Sequence, residues 1–95
     1  MWIRTQTSTK ILNTDNIVGI YIDISTSQIK AYIANSSEGD SVMLLASYNT
    51  IEDCKEVFDA IMLTITNPKF NYICLPLGSD VKDWINDLEK LLLKM

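Results

Sequence analysis

The sequence predicts an α+β fold, an antiparallel sheet of four or five strands with two amphipathic helices packed on one face. Three observations carry that prediction. The first half of the chain holds short runs rich in β-branched residues, separated by polar stretches. The second half holds two runs whose apolar residues recur every three or four positions. The loops between the early runs are too short for the crossover that parallel neighbours need, so those strands read as an antiparallel meander. A length of 95 residues suits one domain over 1–95 with one core.

Residues 2–6 and 10–13 are β-prone pieces on either side of the polar Thr7-Ser8-Thr9 and form an expected opening hairpin. The run 17–24 lies between Asp15-Asn16 and Ser25-Thr26-Ser27, so it reads as a strand bounded by turn residues. The next strand, 28–34, places Ile29, Ala31 and Ile33 on one face and Lys30, Tyr32 and Ala34 on the other. A polar loop over 35–40 leads into 41–48, where apolar side chains point both ways, the pattern of a central strand or of one seated against a partner. Thr50 is the expected N-cap of a helix over 51–66, with Glu52 and Asp53 at the positive end of the helix dipole. Its apolar stripe is Ile51, Cys54, Val57, Phe58, Ile61, Met62 and Ile65, and Asn67-Pro68 ends it. The apolar run 70–75, closed by Pro76 and Gly78, reads as an extended connector in preference to a fifth strand. Ser79-Asp80 then caps a last helix, in which Val81, Trp84, Ile85, Leu88, Leu91 and Leu92 follow the helical spacing.

Composition excludes several function classes. Twelve acidic against eight basic residues leave a net charge of −4, and the lysines are scattered singly around one arginine, Arg4. A nucleic-acid duplex needs a clustered basic face, so no duplex partner is expected. No apolar run approaches the length of a membrane span and the amino terminus is polar within four residues, so the expected location is the cytoplasm. Histidine is absent, and Gly19, Gly39 and Gly78 each stand alone, which leaves neither a conventional general base nor a phosphate loop. Two cysteines without histidine form no familiar zinc site, and Cys54 and Cys74 read as reduced core thiols. Glu38 and Asp40 share a loop, where a solvated turn explains them more simply than acid-base work. The chain is thus expected not to be an enzyme, with no cofactor and no metal.

One segment has an unusual composition. Trp2, Arg4 and Gln6 alternate along a predicted strand and so project from one face. An indole beside a guanidinium suits a nucleobase and a phosphate, through stacking and bidentate hydrogen bonding. The structural alternative is a strand whose tryptophan packs at a sheet edge and whose arginine pairs with a neighbouring carboxylate. Tyr21, Tyr32 and Tyr48 line the same or a facing surface according to register, and their convergence near Lys30 would make an aromatic pocket with a second cation.

Trp2-Ile3-Arg4-Thr5-Gln6, Lys10-Ile11-Leu12-Asn13 and Ser47-Tyr48-Asn49-Thr50-Ile51-Glu52-Asp53, leading into Val57-Phe58-Asp59-Ala60-Ile61, resemble a group of small uncharacterised proteins carried by phages, prophages and mobile elements of low-GC Gram-positive bacteria. The resemblance covers about the first two-thirds of the chain, and Tyr72-Ile73-Cys74-Leu75-Pro76 departs from the Met-Pro ending of that group. It implies an accessory, anti-defence role exercised by stoichiometric binding. The expected function is a non-catalytic, oligomeric binding protein that sequesters a small anionic nucleotide-type immune signal, with Trp2, Arg4, Gln6, Tyr21, Lys30, Tyr32 and Tyr48 as ligand-binding residues. The alternative is an inhibitor or adaptor that blocks a host protein. Homo-oligomer formation is open on sequence grounds, resting on the two-sided apolar strand and the leucine-rich last helix.

Overall fold

β-Branched side chains are stiff about their first torsion and favour extended backbone, and the early runs are strands in the computed structural model, which describes residues 1–34 and 41–94. The order of elements is β1 (Trp2–Arg4), β2 (Ile11–Asn13), a 3-10 turn (Thr14–Asn16), β3 (Ile17–Asp23), β4 (Gln28–Ile33), β5 (Ser41–Ser47), α1 (Ile51–Ile65), β6 (Tyr72–Cys74), a second 3-10 turn (Gly78–Asp80) and α2 (Val81–Leu93). The class is α+β with two helices. In place of one sheet of four or five strands, the described residues form two three-stranded sheets, ordered β2-β1-β6 and β3-β4-β5. The loop that carries Glu38 and Asp40 lies outside the described residues.

The division has a local cause. Asn13 Oδ1 accepts from the Asp15 N–H at 3.1 Å, and Thr14 is held to the Met1 carbonyl by its N–H at 2.9 Å and its hydroxyl at 3.1 Å. The chain therefore leaves β2 through a pinned turn, and β3 begins a new sheet. β1 is central in the first sheet, antiparallel to β2 and parallel to β6, with Ile3 opposite both Leu12 and Ile73. Residues 72–74 are thus a strand and not the expected connector. Pro76 lies two positions beyond β6 and takes no place in its ladder. In the second sheet β4 is the middle strand and β5, expected to be either central or seated against a partner, is an edge.

Both sheets turn one face to a common core. Ile3, Ile73 and Leu75 enter it from the first side, and Ile29, Ala31, Leu45 and Ala46 from the second. Cys54, Val57 and Ile61 of α1 and Val81 of α2 complete the same cluster. Thr50 caps α1 as expected, its hydroxyl accepting from the Asp53 N–H at 3.2 Å. Met62 and Ile65, the last positions of the predicted stripe, are exposed, and Ala60 and Thr64 are buried instead. At α2 the expected capping is replaced. Ser79 and Asp80 form the 3-10 turn that leads into the helix, and the Asp80 carboxylate makes no capping bond. Cys54 is buried, and burial pushes its thiol pKa upward. Cys74, also expected in the core, is exposed, because Ile73 takes the inward position of that short strand.

Candidate binding site

Strand alternation places Ile3 inside and Trp2 and Arg4 outside on β1. Register then decides what joins them. Tyr72 on β6 stands beside Trp2, while Ile11 on β2 and Cys74 on β6 flank Arg4. These five residues line an open depression of about 510 Å³. Trp2 is 49% exposed, Ile11 63% and Tyr72 67%, an unusual density of large apolar side chains in solvent for so small a sheet. Among the described residues no carboxylate lines the depression. Among the described residues Arg4 has neither an ion pair nor a side-chain hydrogen bond, so the alternative in which a neighbouring acid occupies it is not what the fold builds there.

Gln6 is committed elsewhere. Its Oε1 accepts from the Ser47 N–H at 2.9 Å, and its Nε2 donates to the Ser47 carbonyl at 2.9 Å and to the Pro76 carbonyl at 3.2 Å. Because the Ser47 N–H needs an acceptor, the amide orientation is fixed. The backbone of Gln6 adds a bond from its N–H to the Leu45 carbonyl at 2.9 Å. Gln6 therefore joins the two sheets and offers no free group to a ligand. Tyr48 is likewise a core residue. It is buried, its hydroxyl donates to the Pro76 carbonyl at 2.9 Å, and burial pushes the phenol pKa upward.

Tyr21, Lys30 and Tyr32 do come together, on the outer face of the second sheet. The two tyrosine rings stack with centroids 5.0 Å apart at 25°, and Tyr21 is the cross-strand neighbour of Lys30. None of the three lines the Trp2 depression. Lys30 also differs from Arg4 in having a partner, with its Nζ 2.9 Å from Asp23 Oδ2. Asp23 organises the turn into β4, accepting from the Ser25 N–H at 3.2 Å and the Ser25 hydroxyl at 2.6 Å. The Ser25 hydroxyl and then the Lys30 ammonium hold its carboxyl at a pKa of about 2, below the ordinary 3.8.

A depressed carboxylate pKa stabilises the fold above the unfolded value and is lost as pH falls through the folded one. The turn should therefore keep its full contribution above about pH 4 and lose it toward pH 2. Carbon-13 NMR titration of the Asp23 carboxyl checks this. Ser25→Ala is expected to raise the midpoint more than Lys30→Ala does, and a wild-type midpoint near 4 would remove the proposed cause.

Sequence reasoning missed Tyr72, Ile11 and Cys74 as members of the Trp2 surface. The alternation of 72–74 was the one available signal, and it has meaning only once β6 is known to be a strand beside β1. The chain matches no protein-family model, and neither a curated protein nor a solved structure shows significant similarity to it. Among the described residues no group of three or more His, Cys, Asp or Glu is placed to hold a metal, and no helix is long and apolar enough to cross a membrane.

Proposed function

We propose that the chain is a non-catalytic binding protein that captures a small anionic nucleotide-type ligand on the surface formed by Trp2, Arg4 and Tyr72. The observation that carries this reading is Arg4 beside two exposed aromatic rings, with no ion-pair partner and no carboxylate in the lining among the described residues. A rigid strand pair supplies the rings, which accept a nucleobase by stacking. The guanidinium supplies a planar fork of donors for a phosphate, at a position where no acid among the described residues pairs with it. The resemblance to phage and mobile-element proteins extends the reading to sequestration of a host immune nucleotide inside the bacterial cell.

Calorimetric titration against cyclic and linear nucleotides tests the reading, with alkylation of Cys74 as an independent monitor because that thiol lines the same depression. Binding should slow alkylation, and Arg4→Ala should weaken affinity roughly 10- to 100-fold, as expected for loss of a charge-assisted pair. A nucleotide recovered unaltered after denaturation separates sequestration from turnover. No heat with any member of the panel, or an unchanged affinity in Arg4→Ala, removes the proposal.

A second reading, a surface that blocks a host protein, is favoured by one specific observation. The depression is open and mostly apolar, and tryptophan, tyrosine and arginine are the residues that dominate protein interfaces. A stoichiometric protein captured from host lysate by the wild type and lost with Trp2→Ala, without any bound small molecule, would decide for it.

A further inference from the structure

We infer that the free edge of β6 takes up an extended segment of a partner protein, added as a further strand beside α2 and carrying an acidic side chain for Lys69. This goes beyond the nucleotide reading, which uses outward side chains of β1 and β6 and neither the β6 main chain nor α2. β6 is an edge strand, with β1 on one side only. The Asn71 carbonyl accepts from the Trp2 N–H at 2.9 Å, and the Leu75 N–H donates to the Arg4 carbonyl at 3.0 Å. Odd-numbered residues of this run therefore face β1, and alternation turns the N–H and C=O of Tyr72 and Cys74 the other way. Among the described residues none bonds to those four main-chain groups.

A groove lies beyond that edge. Trp84, Leu88 and Leu91, at helical spacings of four and three, form a stripe on α2, and with residues 69–74 they line a cavity of about 500 Å³. Leu91 is 51% exposed, so the stripe is not spent on the core alone. An extended peptide satisfies both sides of the groove at once. Its main chain supplies donors and acceptors to Tyr72 and Cys74, and its alternate side chains reach the α2 stripe. Natural edge strands are commonly blunted from within by lysine, proline or a bulge, and residues 72–74 contain none of these.

Charge narrows the occupant. Lys69 precedes β6, is exposed, and has no ion-pair partner among the described residues. No carboxylate among them lines the groove. A segment with an acidic residue at the Lys69 end is the complement of that lining. A second copy of the β6 edge is not, because residues 69–75 bring another lysine and no acid. Antiparallel pairing is slightly the more stable per residue, and it exchanges two hydrogen bonds at each of Tyr72 and Cys74. That direction puts the acidic residue at the carboxy-terminal end of the segment.

Amide hydrogen exchange followed by NMR on the full chain tests the inference. The probes are a peptide capped at both ends, in which valine alternates with threonine before a final glutamate, and the same peptide with a final lysine. In the free chain the amides of Tyr72 and Cys74 should exchange fast and those of Ile73 and Leu75 slowly. The glutamate peptide at about 1 mM is expected to slow Tyr72 and Cys74 at least about twofold, the effect of half occupancy, and to leave Ile73 unchanged. The wild type should prefer the glutamate peptide by about 2- to 5-fold, the size of an exposed ion pair, and Lys69→Glu should reverse that preference. Leu91→Asp, also at an exposed position, should keep the wild-type circular dichroism and bind this peptide at least about fivefold more weakly. Slow exchange of Tyr72 and Cys74 in the free chain overturns the inference, and a protection that grows with protein concentration makes a second copy the occupant. Peptide binding that leaves those two amides in fast exchange overturns it too, as does a preference unchanged by Lys69→Glu or no binding of either peptide.

Discussion

Ile3→Ala is expected to lower the free energy of unfolding by about 2–5 kcal/mol, the cost of deleting a fully buried aliphatic side chain whose surroundings relax only in part. Ile3 is the inward residue of the central strand of its sheet, opposite Leu12 on one side and Ile73 on the other, and it has no exposed surface. Truncation leaves a void between three strands at once. A domain of 95 residues has roughly 5–14 kcal/mol to lose. Urea unfolding should show a large fall in midpoint with an unchanged slope. Ile11→Ala, on the outer face of the same sheet, should stay within about 0.5 kcal/mol of wild type. Equal effects of the two substitutions would contradict the placement of the core.

Gln6→Ala is expected to cost about 1.5–3 kcal/mol, more than is usual for a partly exposed polar residue. The amide behaves as a short piece of neighbouring strand, satisfying both backbone groups of Ser47 and one lone pair of Pro76. Removing it leaves the Ser47 donor and acceptor to water. Gln6→Glu separates this bonding from simple bulk. The introduced carboxylate can still accept from the Ser47 N–H, but it faces two carbonyl oxygens that need a donor. That variant should be destabilised at neutral pH and recover part of the loss in acid, where the protonated carboxyl donates again. A pH-independent loss equal to that of Gln6→Ala would remove the hydrogen-bond explanation.

The elements that sequence defines well are those whose signal is local. The capped start of α1, the spacing in α2 and the alternation along β4 each depend on residues within one or two turns or strand repeats, and each lies close to where it is expected. The single sheet fails for a physical reason. Pairing of β1 with β6 joins Trp2 to Tyr72 across most of the chain, and no periodicity encodes such a contact. The candidate site divides along the same line. Trp2 and Arg4 share an outer face because alternation requires it, whereas Tyr72, Ile11 and Cys74 reach that face only through long-range register. Gln6 has the composition of a ligand-binding group, yet the Ser47 and Pro76 backbone groups that occupy it come from distant segments. Tyr48 follows the same logic through the Pro76 carbonyl. Tyr21, Lys30 and Tyr32 do converge, but around a lysine whose charge Asp23 already engages.

The parallel pairing of β1 with β6 also sets an order in time. On the ribosome the strand that carries Trp2 and Arg4 is made first, and its partner Tyr72 follows 70 residues later, counting from position 2 to position 72. The β3-β4-β5 meander is fully synthesised before that point and needs only near neighbours. The aromatic surface is therefore completed only after that meander and α1 have been synthesised. A nascent chain displays Trp2 long before it can set Tyr72 beside it.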